Sequence, residues 1–164
     1  MTDEKKNKTK LIVVKDYGNR GKTTLIWMVL LQLIKQGAEK ILCKYTFNGE
    51  DMAIPNTLPP YEDRWDFVAE LHWNKLRIVI VSYGDVCKDV DEALQNALQH
   101  HPDYIICAAN IKHWGTYTWQ LFEAKYSNID YGRVCFWSEK AVGQKDEELV
   151  KRPTVEAIIK YMRP

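Results

Sequence analysis

The fold is decided by residues 16–24, which read Asp16-Tyr17-Gly18-Asn19-Arg20-Gly21-Lys22-Thr23-Thr24. Before them, residues 11–14 form a short, largely β-branched run without polar alternation, which is typical of a strand buried on both faces. After them, residues 25–34 are almost entirely apolar and predict a buried helix that ends at Gly37. A glycine turn between a strand and a helix aims backbone N–H groups and the positive helix end at one point. The segment therefore predicts a phosphate-binding loop.

This loop resembles the Walker A motif of the P-loop NTPase superfamily, G-x-x-x-x-G-K-[ST]. Gly21, Lys22 and Thr23 match the motif, whereas Asp16 stands at its first glycine. The resemblance implies that ATP or GTP binds with Mg²⁺. Lys22 would hold the β and γ phosphates as a catalytic cation, and Thr23 would offer its hydroxyl to the metal. The expected nucleotide-binding residues of the loop are Gly18, Asn19, Arg20, Gly21, Lys22, Thr23 and Thr24.

The same loop is similar to that of the Era-like and Ras-like GTPases, G-x-x-N-x-G-K-S-T-L. The matching residues are Asn19, Gly21, Lys22, Thr24 and Leu25. Further along, Asn110-Ile111-Lys112-His113 partly matches the guanine-reading N-K-x-D, and we expect Asn110 and Lys112 near the nucleotide. The GTPase pattern D-x-x-G is missing after the strand at residues 78–81. The choice between ATP and GTP therefore stays open.

A second acidic site is expected where the strand at residues 78–81 ends. An apolar strand that ends in an acid beside the phosphate loop is the Walker B arrangement, and Asp85 is the best candidate for that acid. From the loop beyond the strand, Asp85 would hold Mg²⁺ through water or orient a nucleophile. We therefore predict Thr23 and Asp85 as metal-binding residues, and Lys22 with Asp85 as catalytic residues.

Strands alternate with helices along the chain, which predicts an α/β fold. We expect a three-layer, doubly wound, mostly parallel sheet with an antiparallel edge hairpin, the P-loop NTPase fold. The hairpin spans residues 66–81 and turns at Asn74-Lys75, and a proline-rich loop covers residues 48–60. Thr154 is expected to cap the last helix. The predicted organisation is a flexible N-terminal tail, residues 1–10, and a single domain, residues 11–164.

Composition limits the partners and the location. The net charge is only +1, so nucleic acid is not indicated as a partner, and no apolar run is long enough to cross a membrane. The N-terminal residues lack the apolar region of a secretory signal. The four cysteines form no C-x-x-C pair and are expected to be buried structural thiols in a reducing cytoplasm.

Three functions fit these features. The first is an enzyme, a small NTPase that binds and slowly hydrolyses a nucleoside triphosphate with Mg²⁺ and acts as a nucleotide switch. The second is a small P-loop kinase that transfers the γ phosphate to a metabolite, a nucleoside or a nucleic-acid end, with Arg64 or Arg152 as its arginine. The third is a non-enzymatic nucleotide-binding subunit that works through a protein partner, because Asp16 departs from the motif and no catalytic base is evident.

Overall fold

A computed structural model of the chain describes residues 9–16, 21–82, 87–110, 133–137 and 147–163. Strands and helices alternate along these segments, as the sequence predicts. The strands are β1 (Lys10–Asp16), β2 (Glu39–Tyr45), β3 (Phe67–Trp73), β4 (Leu76–Val81), β5 (Tyr104–Asn110) and β6 (Arg133–Trp137). The helices are α1 (Lys22–Lys35), α2 (Cys87–Gln99) and α3 (Glu147–Met162), and a short 3-10 turn covers Tyr61–Asp63.

The six strands form one mixed sheet in the order β2-β3-β4-β5-β1-β6. Strand β1 pairs in parallel with β5 and β6, and β4 pairs in parallel with β5. Strand β3 pairs antiparallel with both of its neighbours, β2 and β4. The predicted mixed α/β architecture with a mostly parallel sheet is therefore confirmed.

The predicted hairpin forms, but its predicted place at the edge is wrong. Strands β3 and β4 are joined by Asn74 and Lys75, whose φ angles of 49° and 66° are those of a tight two-residue hairpin turn. Strand β2 then pairs with β3 and takes the edge. The alternation of apolar and polar residues indicates which face of a strand is covered, and it says nothing about whether a further strand pairs alongside.

Strand β4, which we expected to lead to the Walker B acid, is separated from β1 by one strand. In the sheet, β5 lies between β4 and β1. The carboxyl ends of β4 and β1 are thus two strand spacings apart, roughly 10 Å.

Helices cover both faces of the sheet, which gives three layers. On β1, Ile12 and Val14 face the core formed with α1 and α3, whereas Leu11 and Val13 face α2. Helix α1 follows β1 and covers one face of the sheet, whereas α2 follows β4 and covers the other. The chain therefore leaves the carboxyl edge of the sheet towards opposite faces after these two strands. Crevices for ligands form at such switch points in open α/β sheets.

The last helix differs from the prediction at its start. Thr154 was expected to cap the N-terminus of this helix. Instead, α3 begins at Glu147 and continues through Pro153 without interruption. The proline side chain is exposed, so its ring meets solvent instead of a packed neighbour. The apolar face of α3 nevertheless packs as expected, because Val155, Ile158 and Met162 are buried in the core shared with α1.

Two of the cysteines are confirmed as buried thiols. Cys43 and Cys107 are free and buried, in β2 and β5. Burial raises the pKa of the Cys43 thiol to about 11, so this group stays protonated at neutral pH and is a poor nucleophile. These side chains therefore contribute packing rather than chemistry.

Candidate functional site

The start of α1 carries the residues of the predicted phosphate loop that the structure describes. Gly21 adopts a left-handed conformation, with φ of 80°, and Lys22 opens the helix directly after it. Glycine adopts this conformation without the steric cost that a side chain would add. No acidic residue lies in the first turn of α1, so its positive end is not neutralised by the helix itself. The helix start is thus suited to an anion.

Lys22 and Thr24 are almost completely buried, with 6% and 2% of their surface exposed. A charged side chain is seldom buried so deeply unless partners surround it. Thr24 accepts a hydrogen bond from the Nη1 atom of Arg64 at 3.1 Å. The first turn of α1 is therefore a packed, preorganised element.

The Thr23 hydroxyl faces the carboxylate of Asp66, which lies at the end of the hairpin away from its turn. This hydroxyl donates to the Oδ1 atom of Asp66 at 3.4 Å, and the Ser82 hydroxyl donates to the same oxygen at 3.0 Å. Ser82 in turn accepts from the backbone N–H of Phe67 at 2.8 Å. Asp66 precedes β3 and Ser82 follows β4, and the antiparallel pairing brings these two ends together at the carboxyl edge of the sheet. The hydroxyls of Thr23 and Ser82 thus both donate to one carboxylate oxygen of Asp66.

This arrangement has the chemistry of a magnesium site. Carboxylate and hydroxyl oxygens are the hard ligands that Mg²⁺ prefers, and the ion usually keeps several waters and takes phosphate oxygens as further ligands. Among the described residues, no three His, Cys, Asp or Glu side chains gather into a metal-binding group. The Asp66 carboxylate and the Thr23 hydroxyl at the start of α1 are therefore the described groups that could contribute ligands to Mg²⁺.

A strap of three consecutive residues, Arg64, Trp65 and Asp66, fastens the long loop of residues 46–66 to α1. Arg64 bonds to Thr24 and also donates from Nε to the carbonyl of Pro59 at 2.9 Å. The Trp65 carbonyl accepts from the indole N–H of Trp27 at 3.1 Å. Since Asp66 bonds to Thr23, each residue of the strap contacts the first two turns of α1.

Most of the predicted site residues are only partly described or not described at all. The structure confirms that β1 and β5 end side by side, with Asp16 paired to Asn110 in the register. The side chains of these two residues are not described. Five predicted residues lie outside the described segments, namely Gly18, Asn19, Arg20, Asp85 and Lys112. Their roles stay predictions.

Asp66 and Ser82 were not among the site residues predicted from the sequence, and Arg64 was only an alternative for the arginine of a kinase. A signal was present: Asp66 opens the first hairpin strand and Ser82 ends the second. Because hairpin strands are antiparallel, these two residues must lie at the same edge of the sheet. The link to Thr23 could not be foreseen, since it depends on where the hairpin lies relative to α1.

Comparisons with known proteins give no relative for this chain: no family model, no curated protein and no solved structure matches it. Separately, none of the described helices combines the length and the apolar character needed to cross a membrane.

Proposed function

We propose that this chain is a P-loop NTPase that binds a nucleoside triphosphate with Mg²⁺ at the start of α1 and hydrolyses it. The observation that carries the proposal is the Thr23 hydroxyl 3.4 Å from the Asp66 carboxylate, directly after a left-handed Gly21 and a buried Lys22. This is the residue order in which a P-loop presents its lysine to phosphate and its hydroxyl to the metal. The α/β sheet, with helices on both faces, suits the same assignment.

The roles follow from the chemistry of the groups. Lys22 would neutralise the β and γ phosphates, and Thr23 would bind Mg²⁺ directly. Asp66 would hold the metal, or one of its waters, through the oxygen atom that Thr23 and Ser82 already share. In the hydrolytic step, a water oxygen would bond to the γ phosphorus while the bond to the β–γ bridging oxygen breaks. This step would yield the nucleoside diphosphate and inorganic phosphate.

The cytoplasmic location expected from the sequence remains part of the proposal. It is supported by the two buried free thiols, Cys43 and Cys107, which are typical of proteins in reducing compartments.

Calorimetric titration with non-hydrolysable ATP and GTP analogues, with and without Mg²⁺, tests the proposal. We expect Mg²⁺-dependent binding of one of the two bases, and we expect Lys22→Ala to weaken it roughly a hundredfold, because the main cation on the phosphates is lost. Lys35→Ala, at the other end of α1, is the matched control and should bind like the wild type. Undiminished binding by the Lys22 variant would sink the assignment.

A second candidate, phosphoryl transfer to an acceptor other than water, is favoured by the position of Arg64. Kinases use an arginine on the transferred phosphate, and the guanidinium of Arg64 lies beside the first turn of α1, 3.1 Å from Thr24 Oγ1. Incubation with γ-labelled nucleotide and a panel of metabolites, nucleosides and oligonucleotides distinguishes the two reactions. Label that appears only in inorganic phosphate supports hydrolysis, and label in an acceptor supports the kinase.

A further inference from the structure

Three aromatic side chains on the loop of residues 46–66 are largely exposed to solvent. Phe47, Tyr61 and Trp65 are 65%, 58% and 51% exposed. Phe47 lies between Tyr45 and Trp65, with ring centroids 5.9 Å and 5.2 Å away. Single exposed aromatic residues are common on protein surfaces, but rings in contact with one another form a patch, and such patches mark interaction sites.

The loop holds these rings in a fixed arrangement. Thr46 donates to the Asp66 carbonyl from its backbone N–H at 3.0 Å and from its hydroxyl at 3.2 Å, which ties the two ends of the loop together. In the middle, Met52 is fully buried and bonds through its N–H to the carbonyl of Cys43 at 2.8 Å. The exposed rings therefore require little further ordering when a partner binds, which favours affinity.

The loop that carries the rings is acidic. Residues 46–66 contain five acids and one arginine, a net charge of −4, although the whole chain has a net charge of +1. Glu50, Asp51, Glu62 and Asp63 are all exposed. Such a surface repels nucleic-acid phosphates and attracts cations.

The same loop already holds one guanidinium over a ring. The Cζ atom of Arg64 lies 5.5 Å from the centroid of Tyr61. Arginine combines the two interactions that this surface offers, since it stacks on aromatic rings and pairs with carboxylates. Phe47 and Trp65 present further exposed rings with no such cation among the described residues.

We propose that this acidic aromatic surface, formed by Phe47, Tyr61 and Trp65 with the four exposed acids, docks an arginine-rich basic segment of a partner protein. Arginine side chains stack on Phe47 and Trp65, and the neighbouring carboxylates neutralise their charge. The proposal does not depend on nucleotide binding, and it is tested without nucleotide.

The probe is a fluorescent peptide of alternating arginine and leucine, compared with the same peptide carrying lysine in place of arginine. We expect the arginine peptide to bind several-fold more tightly, because lysine stacks less well on rings. The double variant Phe47→Ala/Trp65→Ala should bind it roughly tenfold more weakly. The backbone carbonyl of Trp65, which holds Trp27, remains in that variant, and circular dichroism verifies the fold.

The matched control separates a specific surface from general attraction between opposite charges. Glu62→Gln/Asp63→Asn removes two acids from the surface, and Asp89→Asn/Glu92→Gln removes two exposed acids from α2. The first pair should weaken binding and the second should not. Equal losses in both pairs, equal affinity for the arginine and lysine peptides, or tighter binding of an oligothymidylate of the same length would each overturn the proposal.

Discussion

At the scale of single residues, the candidate site depends on one carboxylate that belongs to no recognisable motif. Asp66 accepts hydrogen bonds from Thr23 and Ser82 on the same oxygen atom. Its backbone carbonyl accepts two further bonds from Thr46. The side chain is therefore positioned by groups from α1, β4 and the loop after β2. Such preorganisation is what a metal ligand needs.

We expect Asp66→Asn to remove most of the Mg²⁺ dependence of nucleotide binding while preserving the fold. The amide oxygen of asparagine can still accept from Thr23 and Ser82, but the negative charge that attracts the cation is lost. The affinity in Mg²⁺ should fall roughly tenfold or more, and the affinity without Mg²⁺ should change little. Calorimetric titrations in Mg²⁺ and in a chelator measure both values.

Asp63→Asn is the control for this experiment, because Asp63 is an exposed acid of the same loop and bonds to neither Thr23 nor Ser82. It should keep the full Mg²⁺ dependence. If Asp66→Asn keeps it as well, Asp66 is not at the metal, and Asp85 becomes the leading candidate.

The residues at the start of α1 were candidates from the sequence, whereas the hairpin residues that contact them were not predicted. Lys22 and Thr23 stand in a local pattern whose chemistry is contained in consecutive residues. Asp66 lies 43 positions from Thr23, and their contact depends on how the hairpin packs beside α1. A contact between residues so far apart in the sequence cannot be predicted from the spacing of residues.

At the scale of elements, the sequence predicted strands and helices well and their arrangement less well. The apolar runs of β1, β4 and β5 were recognisable because both faces of these strands are buried. The order of these strands in the sheet could not be predicted, because their apolar sequences are too similar to indicate which strand pairs with which. The insertion of β5 between β1 and β4, and the pairing of β2 outside β3, are decided by tertiary packing.

The start of α3 offers a direct test at this scale. Because α3 is continuous, Pro153 deprives the Leu149 carbonyl of its usual donor four residues later, and Pro153→Ala should stabilise the protein by about 1–3 kcal/mol. Thr154→Ala should then be nearly neutral. If Thr154 instead caps a helix that starts there, Thr154→Ala costs about 1 kcal/mol and Pro153→Ala gains little. Urea unfolding of the two variants and the wild type distinguishes these cases.

At the scale of the whole molecule, the strap connects two surfaces with different chemistry. On one side, Arg64 and Asp66 bond to Thr24 and Thr23 at the start of α1. On the other side, the ring of Trp65 stands 51% exposed beside Phe47. In the proposed function, a nucleotide with Mg²⁺ would compete for the groups that hold the strap. The proposed nucleotide site and the proposed docking surface would therefore be linked through three consecutive residues.

This connection predicts that the nucleotide changes the surroundings of Trp65. Addition of the tighter-binding analogue with Mg²⁺ should alter the tryptophan fluorescence of the wild type, and Trp65→Phe should lose that change. Lys22→Ala, which is expected to bind roughly a hundredfold more weakly, should show no change at an analogue concentration that just saturates the wild type. A signal that persists in Trp65→Phe would come from one of the other five tryptophans and would contradict the coupling.

Thermodynamic linkage makes the same coupling measurable from the opposite direction. If the nucleotide changes the affinity for the arginine–leucine peptide by some factor, the peptide must change the affinity for the nucleotide by the same factor. We expect a factor of roughly 5 or more, because the strap joins the two sites through direct hydrogen bonds. Peptide titrations with and without nucleotide, and nucleotide titrations with and without peptide, supply the two values. Unchanged affinities in both directions, with each ligand bound, would mean that the strap is a rigid support and that the two sites act independently.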